Sequence, residues 1–596
     1  MKAKNTLTIE FAAGALLKRG LVSAEQFNDI ILKGEKQRER LQRYQEATYS
    51  RRLHRVTYFV SPAEAVSSFN IEMPGKNGRL LTEDIITEAI ADEVGIEYRK
   101  IDPLKLDLDV VTKYVPRLFA LRHLIIPIDD KNGSVVMAVA DPFNLEAVES
   151  LQKAKGLKIR LVLSSKTDIM KIVREFFGFH ASLSAAEAEM KAGIELGNLE
   201  QYFKLKLPGE VDATDRHIVN AVDYLLHYAF EQRASDIHIE PKREKSFVRF
   251  RIDGALHYIH TIPRSLHPPI VSRIKTLSRI DIAEKRRPQD GRIKTSHKGK
   301  DIELRVSTLP VAFGEKVVIR IFDPDILMQD LDQIGFYPRE YQVYNAFIRK
   351  PNGIILVTGP TGSGKTTTLY STLKTLSSPD VNIVTIEDPI EMVVEEFNQV
   401  GVQPAIGVTF SKVLRTMLRQ DPDIIMVGEI RDKETAENAV QAALTGHLVL
   451  STLHTNDAPS SITRLLDLGI PSFLISSTLI GIVAQRLIRK ICPFCKKERA
   501  LTEEEVEHLK LGPKEYRVFF GEGCLECRGT GYRGRTGIFE VMEFTDKLRD
   551  VMSDAVELHR LYEVARADGL INLRQVAIRK MLEGVTTFEE VIAVTG

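Results

Sequence analysis

The sequence predicts a multidomain α/β protein whose carboxyl-terminal half holds a parallel sheet, and three observations predict it. From Ile354 onward, short apolar runs alternate with helical periodicity, which is the order of a parallel sheet covered by helices. A glycine-rich octapeptide, Gly359 to Thr366, follows the first of these runs and opens a helix. The 596 residues allow several domains at roughly 150 residues each, and 43% hydrophobic with 27% charged residues is the balance of globular domains.

Taken in order, residues 1–60 read as helix, with Lys and Arg concentrated from Lys33 to Arg55. Residues 61–180 mix strands (Val135 to Ala140, Ile159 to Leu163) with helix (Lys166 to Phe176), as an α/β docking domain would. The Ala- and Glu-rich stretch 181–210, ending Lys206-Leu207-Pro208-Gly209, reads as a linker. Within 211–325, an amphipathic helix (Ile218 to Arg233) precedes short strands. Phe247 to Ile252 and Leu256 to Ile259 flank the hairpin signal Asp253-Gly254, and Ile302 to Ser307 and Val317 to Phe322 follow. The last piece, 326–596, carries strands Ile354 to Val357, Ile383 to Ile386, Ile424 to Val427 and Leu448 to Leu453.

Lys plus Arg (82) and Asp plus Glu (81) nearly cancel, so no general attraction for nucleic acid is expected. No signal-peptide pattern opens the sequence, and Phe473 to Ala484 is too short to span a bilayer. The expected location is the cytoplasm, with membrane contact made through a partner or through the basic Lys33 to Arg55 segment on acidic lipid. That segment reads equally as a solvated helix face.

Gly359-Pro360-Thr361-Gly362-Ser363-Gly364-Lys365-Thr366 fits the P-loop at each defined position. Its glycines let successive N–H groups turn toward one anion, Lys365 reaches the β and γ phosphates, and the Thr366 hydroxyl binds Mg²⁺. The helix starting at Thr367 points its positive end at the phosphates of ATP. Glu387, Asp388 and Glu391 close the next strand, where hydrolysis needs a group to activate water. Asp423 to Glu429 forms a second acidic strand end with Gly428 where many P-loop enzymes carry an Asp, which leaves the metal or water work to Glu429. His447 and His454 flank the strand after it. His454, at the ligand edge, is a candidate γ-phosphate sensor, although a lone His is more often structural.

All the cysteines fall in two C-x-x-C hooks, Cys492/Cys495 and Cys524/Cys527. Four thiolates suit a tetrahedral Zn²⁺, and closed coordination suits a structural site. Redox pairs and unligated thiols are the bland readings. The long spacer requires a small subdomain between the hooks, at about residues 488–535.

In combination these blocks resemble the secretion ATPase superfamily of type II secretion and type IV pilus assembly. The Walker A box (Thr361 to Lys365), aspartate box (Ile386 to Glu391), atypical Walker B (Met426 to Arg431) and histidine box (Gly446 to Thr455) all match. So do Ala234 to Pro241, Arg249 to Gly254, Pro288 to Arg292 and Arg305 to Pro310 upstream. The resemblance implies a RecA-like ATPase domain with the zinc subdomain inserted, a preceding PAS-like α+β domain, and a homo-hexamer. It also implies Glu391 as the catalytic glutamate and Arg305 and Arg320 as arginines reaching the nucleotide, with Arg415 and Arg419 at subunit contacts. The implied partner is the cytoplasmic domain of an inner-membrane platform protein. An arginine of this kind contributes roughly 10³–10⁵ in rate.

Gly14 to Gly20, followed by Gln26 and Leu32, resembles a cyclic-dinucleotide-binding module. Ala12-Ala13-Gly14 stands where that module begins Arg-Leu-Gly, and a helical docking segment is the competing reading. The expected function is ATP hydrolysis driving pseudopilus assembly and protein export in type II secretion. Type IV pilus extension is the near alternative. A RecA-like nucleic-acid translocase and a nucleotide-gated scaffold are the distant ones.

Overall fold

The computed structural model describes residues 7–49, 59–74, 80–101, 106, 108–131, 134–173, 183, 186, 216–297, 299–524, 526–553 and 555–596. The linker expected at 181–210 lies outside the described residues apart from Leu183 and Ala186, as does the end of the basic segment from residue 50. The chain forms two units. One comprises Met1–Phe250, Leu256–Gly291 and Val306–Val318. The other comprises Arg251–Ala255, Arg292–Arg305 and Ile319–Gly596.

In the first unit, Thr8 caps helix Ile9–Lys18 by accepting the Phe11 N–H, and helix Ala24–Tyr49 follows. Helix Glu83–Val94 stops at Gly95, whose φ of 73° suits a residue without a Cβ. Strands β1 (Ile125–Lys131), β2 (Ser134–Val139) and β3 (Lys158–Leu163) form a sheet, antiparallel between β1 and β2 and parallel between β2 and β3. Residues 166–173 are helical. Apolar side chains from Ile9 to Val173 share one core.

A six-stranded sheet follows helix Arg216–Glu231, which buries Ile218, Ala221, Val222, Leu225 and Leu226 at helical spacing. Its strands are β4 (Asp236–Pro241), β5 (Lys245–Ile252), β6 (Ala255–Pro263), β7 (Gln289–His297), β8 (Lys300–Val311) and β9 (Gly314–Phe322). They are ordered β6-β5-β4-β9-β8-β7. Asp253 and Gly254 take φ of 49° and 88° at the β5–β6 turn, as the Asp-Gly signal requires.

The large sheet of the second unit comprises β10 (Gly353–Thr358), β11 (Ile383–Glu387), β12 (Asn398–Gly401), β13 (Ile424–Val427), β14 (Leu448–Leu453), β15 (Leu479–Ile491) and β18 (Tyr532–Glu543). Their order is β12-β11-β13-β14-β10-β15-β18. All pairings are parallel except β15 with β18. Every residue of β10, β11, β13 and β14 is buried, as parallel strands covered on both faces must be. These strands match the apolar runs of the sequence, whereas β12, β15 and β18 were not anticipated. The apolar stretch Phe473 to Ala484 divides between helix Ser472–Thr478 and β15. Among the described residues, no helix is long and apolar enough to cross a membrane. Between β15 and β18, strands β16 (Lys496–Ala500) and β17 (Arg517–Gly521) pair antiparallel around helix Glu503–His508.

Candidate functional site

The parallel register brings the carboxyl ends of β10, β11, β13 and β14 to one edge of the sheet. Thr358 lies opposite Leu453 and Ala484, and Val427 lies opposite Ser451. Ligands of open α/β sheets bind at this edge. The loop from Gly359 leaves β10 here and runs into helix Lys365–Leu376. Gly359 has φ of 148°, and a Cβ there would sit 2.4 Å from the Gln485 carbonyl oxygen, so only glycine fits.

Lys365 Nζ donates to the carbonyls of Gly359 (2.8 Å) and Pro360 (3.1 Å). Burial pulls its pKa down, opposed by the field of Glu429, which places that carboxylate near the loop. Among the described residues, no hydrogen-bond partner reaches the buried Ser363 Oγ. Thr361 and Gly362 are exposed at the loop tip, and Thr366 and Thr367 are half-buried at the helix start. A cavity of about 420 Å³ opens beside Pro360 to Ser363, lined also by Arg486, Arg489 and Arg535. The sequence reading missed these arginines. No local pattern marks them, because β15 and β18 meet the loop only through sheet pairing.

At the β11 end the acidic residues separate. Glu387 is buried and turned inward, whereas Glu391 forms an ion pair with Arg305 (2.9 Å). Arg305 also donates to the Ile390 carbonyl and lies 4.7 Å from the Phe322 ring centroid. Burial raises the pKa of Glu391. Arg305 and Arg320 oppose the rise, Glu387 adds to it, and Arg292 opposes it more weakly. Arg305 and Arg320 thus both act on Glu391, and so does Arg292, which the sequence marked only as the end of the matching motif Pro288 to Arg292. At the β13 end, Glu429 contacts Arg431 and lies 3.4 Å from His454 Nε2. His447 Nδ1 lies 2.9 Å from the Ala442 carbonyl at the end of helix Lys433–Leu444. Arg415 pairs with Glu434 (3.1 Å) and Arg419 donates to the Arg415 carbonyl, both on the surface.

The cysteine hooks follow β15 and precede β18, so the pairing of these strands brings them together. All the Sγ atoms lie within 4.8 Å of one another, and the pairs 492/524, 495/527 and 524/527 are 3.7 Å apart. Tetrahedral zinc with Zn–S near 2.3 Å requires sulfurs about 3.8 Å apart, so the donor set fits the ion. Burial raises the Cys492 thiol to about 11. At Cys527 burial is outweighed by the N–H groups of Cys524 and Gly531, and the thiol falls to about 7.

Residues 212–593 match the family model described as type II/IV secretion system protein, and residues 94–183 match the MshEN domain. The chain is 44% identical over 541 residues to the type IV pilus assembly ATPase TfpB of Acinetobacter baylyi, covering 89% of this chain and 92% of that one. It is 48% identical over 382 residues to type II secretion system protein E of Pseudomonas aeruginosa, covering 64% and 76%. Among solved structures, the Legionella pneumophila ATPase DotB aligns with a TM-score of 0.49 and 20% identity, over 65% of this chain and 97% of that one.

Proposed function

The chain belongs to the type II/IV secretion system protein family, and on that premise we propose how its residues divide the work of hydrolysing ATP. It is an ATPase, and its relatives carry the names of both type II secretion and type IV pilus assembly. The observation that supports the assignment is that the segments carrying Lys365, Glu391 and Glu429 leave β10, β11 and β13 at the same edge of a parallel sheet.

In this reading Lys365 exchanges the Gly359 and Pro360 carbonyls for phosphate oxygens. The loop from Gly359 to Thr367 supplies N–H groups and the buried Ser363 hydroxyl. Glu391 takes the proton of the attacking water, and burial brings its pKa closer to a working pH. Arg305 passes its charge from Glu391 to the transferring phosphoryl group, and Arg320, which also acts on Glu391, supports it. Thr366 and Glu429 are the oxygen donors at hand for Mg²⁺, which supplies charge neutralisation on the phosphates. His454 orients Glu429. Cys492, Cys495, Cys524 and Cys527 hold a structural zinc.

The fold we assign is RecA-like for 326–596 and PAS-like for 211–325, assembled as a hexamer. The α/β domain at 61–180 docks on the cytoplasmic domain of a membrane platform protein. Gly14 lies in helix Ile9–Lys18, outside the matched MshEN residues. Ala12, Ala13, Ala15 and Leu16 of that helix are buried, which favours a packing role there over a cyclic-dinucleotide site.

The test is ATP turnover by the assembled chain, with and without DNA, beside Lys365→Ala and Glu429→Gln. Turnover lost in both variants and indifferent to DNA is expected, and stimulation by DNA would favour a translocase. Deleting the gene and scoring surface pili against secreted enzymes separates the two export systems.

A further inference from the structure

The carboxylates closing β11 do not share one role. Glu387 is 4% exposed, and its oxygens are fully engaged. Oε1 accepts from Thr385 Oγ1 (2.7 Å) and Gln399 Nε2 (3.1 Å). Oε2 accepts from the Tyr370 hydroxyl (2.7 Å) and the Glu391 backbone N–H (3.3 Å). An ionised carboxylate has about four acceptor sites, so none remains for a metal ion or a water.

The same side chains hold the loop that carries Glu391. Gln399 Nε2 also donates to the Met392 carbonyl (2.9 Å), and Gln399 Oε1 accepts from the Val394 N–H (2.8 Å). Tyr370 Oη lies 3.2 Å from the Met392 carbonyl. Tyr370 itself is fully buried on helix Lys365–Leu376, the helix that Lys365 opens. The loop is therefore tied at Glu391, Met392 and Val394 to β11, β12 and the phosphate-loop helix.

We propose that buried Tyr370 and Glu387, with half-buried Gln399, form a positioning clamp that locks the backbone at Glu391 to the phosphate-loop helix. The carboxylate that activates water and the loop that holds the phosphates then move as one body. The clamp acts through the backbone it holds, by its bonds to the Glu391 N–H, the Met392 carbonyl and the Val394 N–H. The inference rests on the reading of Glu391 as the group that activates water. Its physical basis is the steep dependence of rate on reacting geometry, where a shift of about 1 Å costs on the order of 10²-fold.

Tyr370→Phe keeps the ring and deletes one hydroxyl. It should lower kcat about 10–100-fold while KM for ATP stays within about threefold, because the phosphate loop is untouched. In a Glu391→Gln background the same substitution should cost less than about twofold more, since the clamp acts through Glu391. Gln399→Leu, on the opposite side of the clamp, should repeat the pattern and keeps the test alive if Tyr370→Phe does not fold. A kcat near wild type, a loss that multiplies fully with Glu391→Gln, a raised KM at constant kcat, or unfolding of both clamp variants would each overturn the clamp. Absent turnover in the wild-type hexamer would instead overturn the ATPase reading.

Discussion

Strand β15 serves two sites that handle their polar groups in opposite ways. Its first residues pair with β10, so Ala484 stands level with the start of the phosphate loop. Its far end delivers Cys492, roughly 25 Å further along at about 3.3 Å per residue. At the cysteine cluster every donor faces one point, and four sulfurs leave no open position. At the phosphate loop the partners are provisional. Lys365 leans on backbone carbonyls, Ser363 Oγ has no partner among the described residues, and Arg305 neutralises Glu391. A closed donor set stabilises a fold, and a set with exchangeable partners performs turnover.

The contrast is sharpest if each site is broken alone. Glu391→Gln should lower kcat about 10²–10⁴-fold, on the order of 3–5 kcal/mol of barrier. Bound zinc and Tm should not change, and a fall in either measurement would blur the distinction. Cys495→Ser should do the reverse. Outer ligand partners alone are worth about 10–100-fold in metal affinity, and loss of a ligand should exceed that. Metal analysis should then find less than one zinc per chain, and Tm should fall, while KM for ATP in the folded remainder is unchanged. A kcat defect with zinc retained would show that the cluster takes part in turnover.

Glu83 sharpens the comparison from the other unit. Like Glu391 it is a carboxylate raised chiefly by burial, in its case from 4.5 to about 7, with Glu64 and Asp84 adding and Thr167 opposing. It belongs to the other unit and is assigned no part in hydrolysis, so its shift should appear in stability alone. The folded chain holds this proton where the unfolded chain releases it. The contribution is full below about 4.5 and is lost as pH rises through about 7. Glu83→Gln should flatten the Tm-versus-pH curve in that window, by at most about 3 kcal/mol, and leave the pH profile of kcat alone. A shifted kcat profile would couple the amino-terminal unit to catalysis.

Much of the site was legible because its signals are local. A P-loop needs contiguous residues whose backbone wraps an anion, so Gly359 to Thr366 declared itself. The C-x-x-C hooks, the strand runs Ile354 to Val357 and Ile424 to Val427, and the Asp253-Gly254 turn did so for the same reason. Strand β15 was missed because it follows helix Ser472–Thr478 without a break, and Phe473 to Ala484 was weighed only as a bilayer span, for which it is too short.

The sequence by itself determined the chemistry available: a phosphate loop, acidic strand ends and four thiolates. Only the tertiary structure decided how those groups are distributed. It gave Glu387 to Tyr370, Thr385 and Gln399, and it gave Glu391 to Arg305, although both glutamates close the same strand. The physical reason is that a carboxylate's role depends on which donors reach it. Apart from Thr385 on β11 itself, those donors come from β12, the β8 strand and the phosphate-loop helix, which only sheet pairing and helix packing bring within hydrogen-bond range.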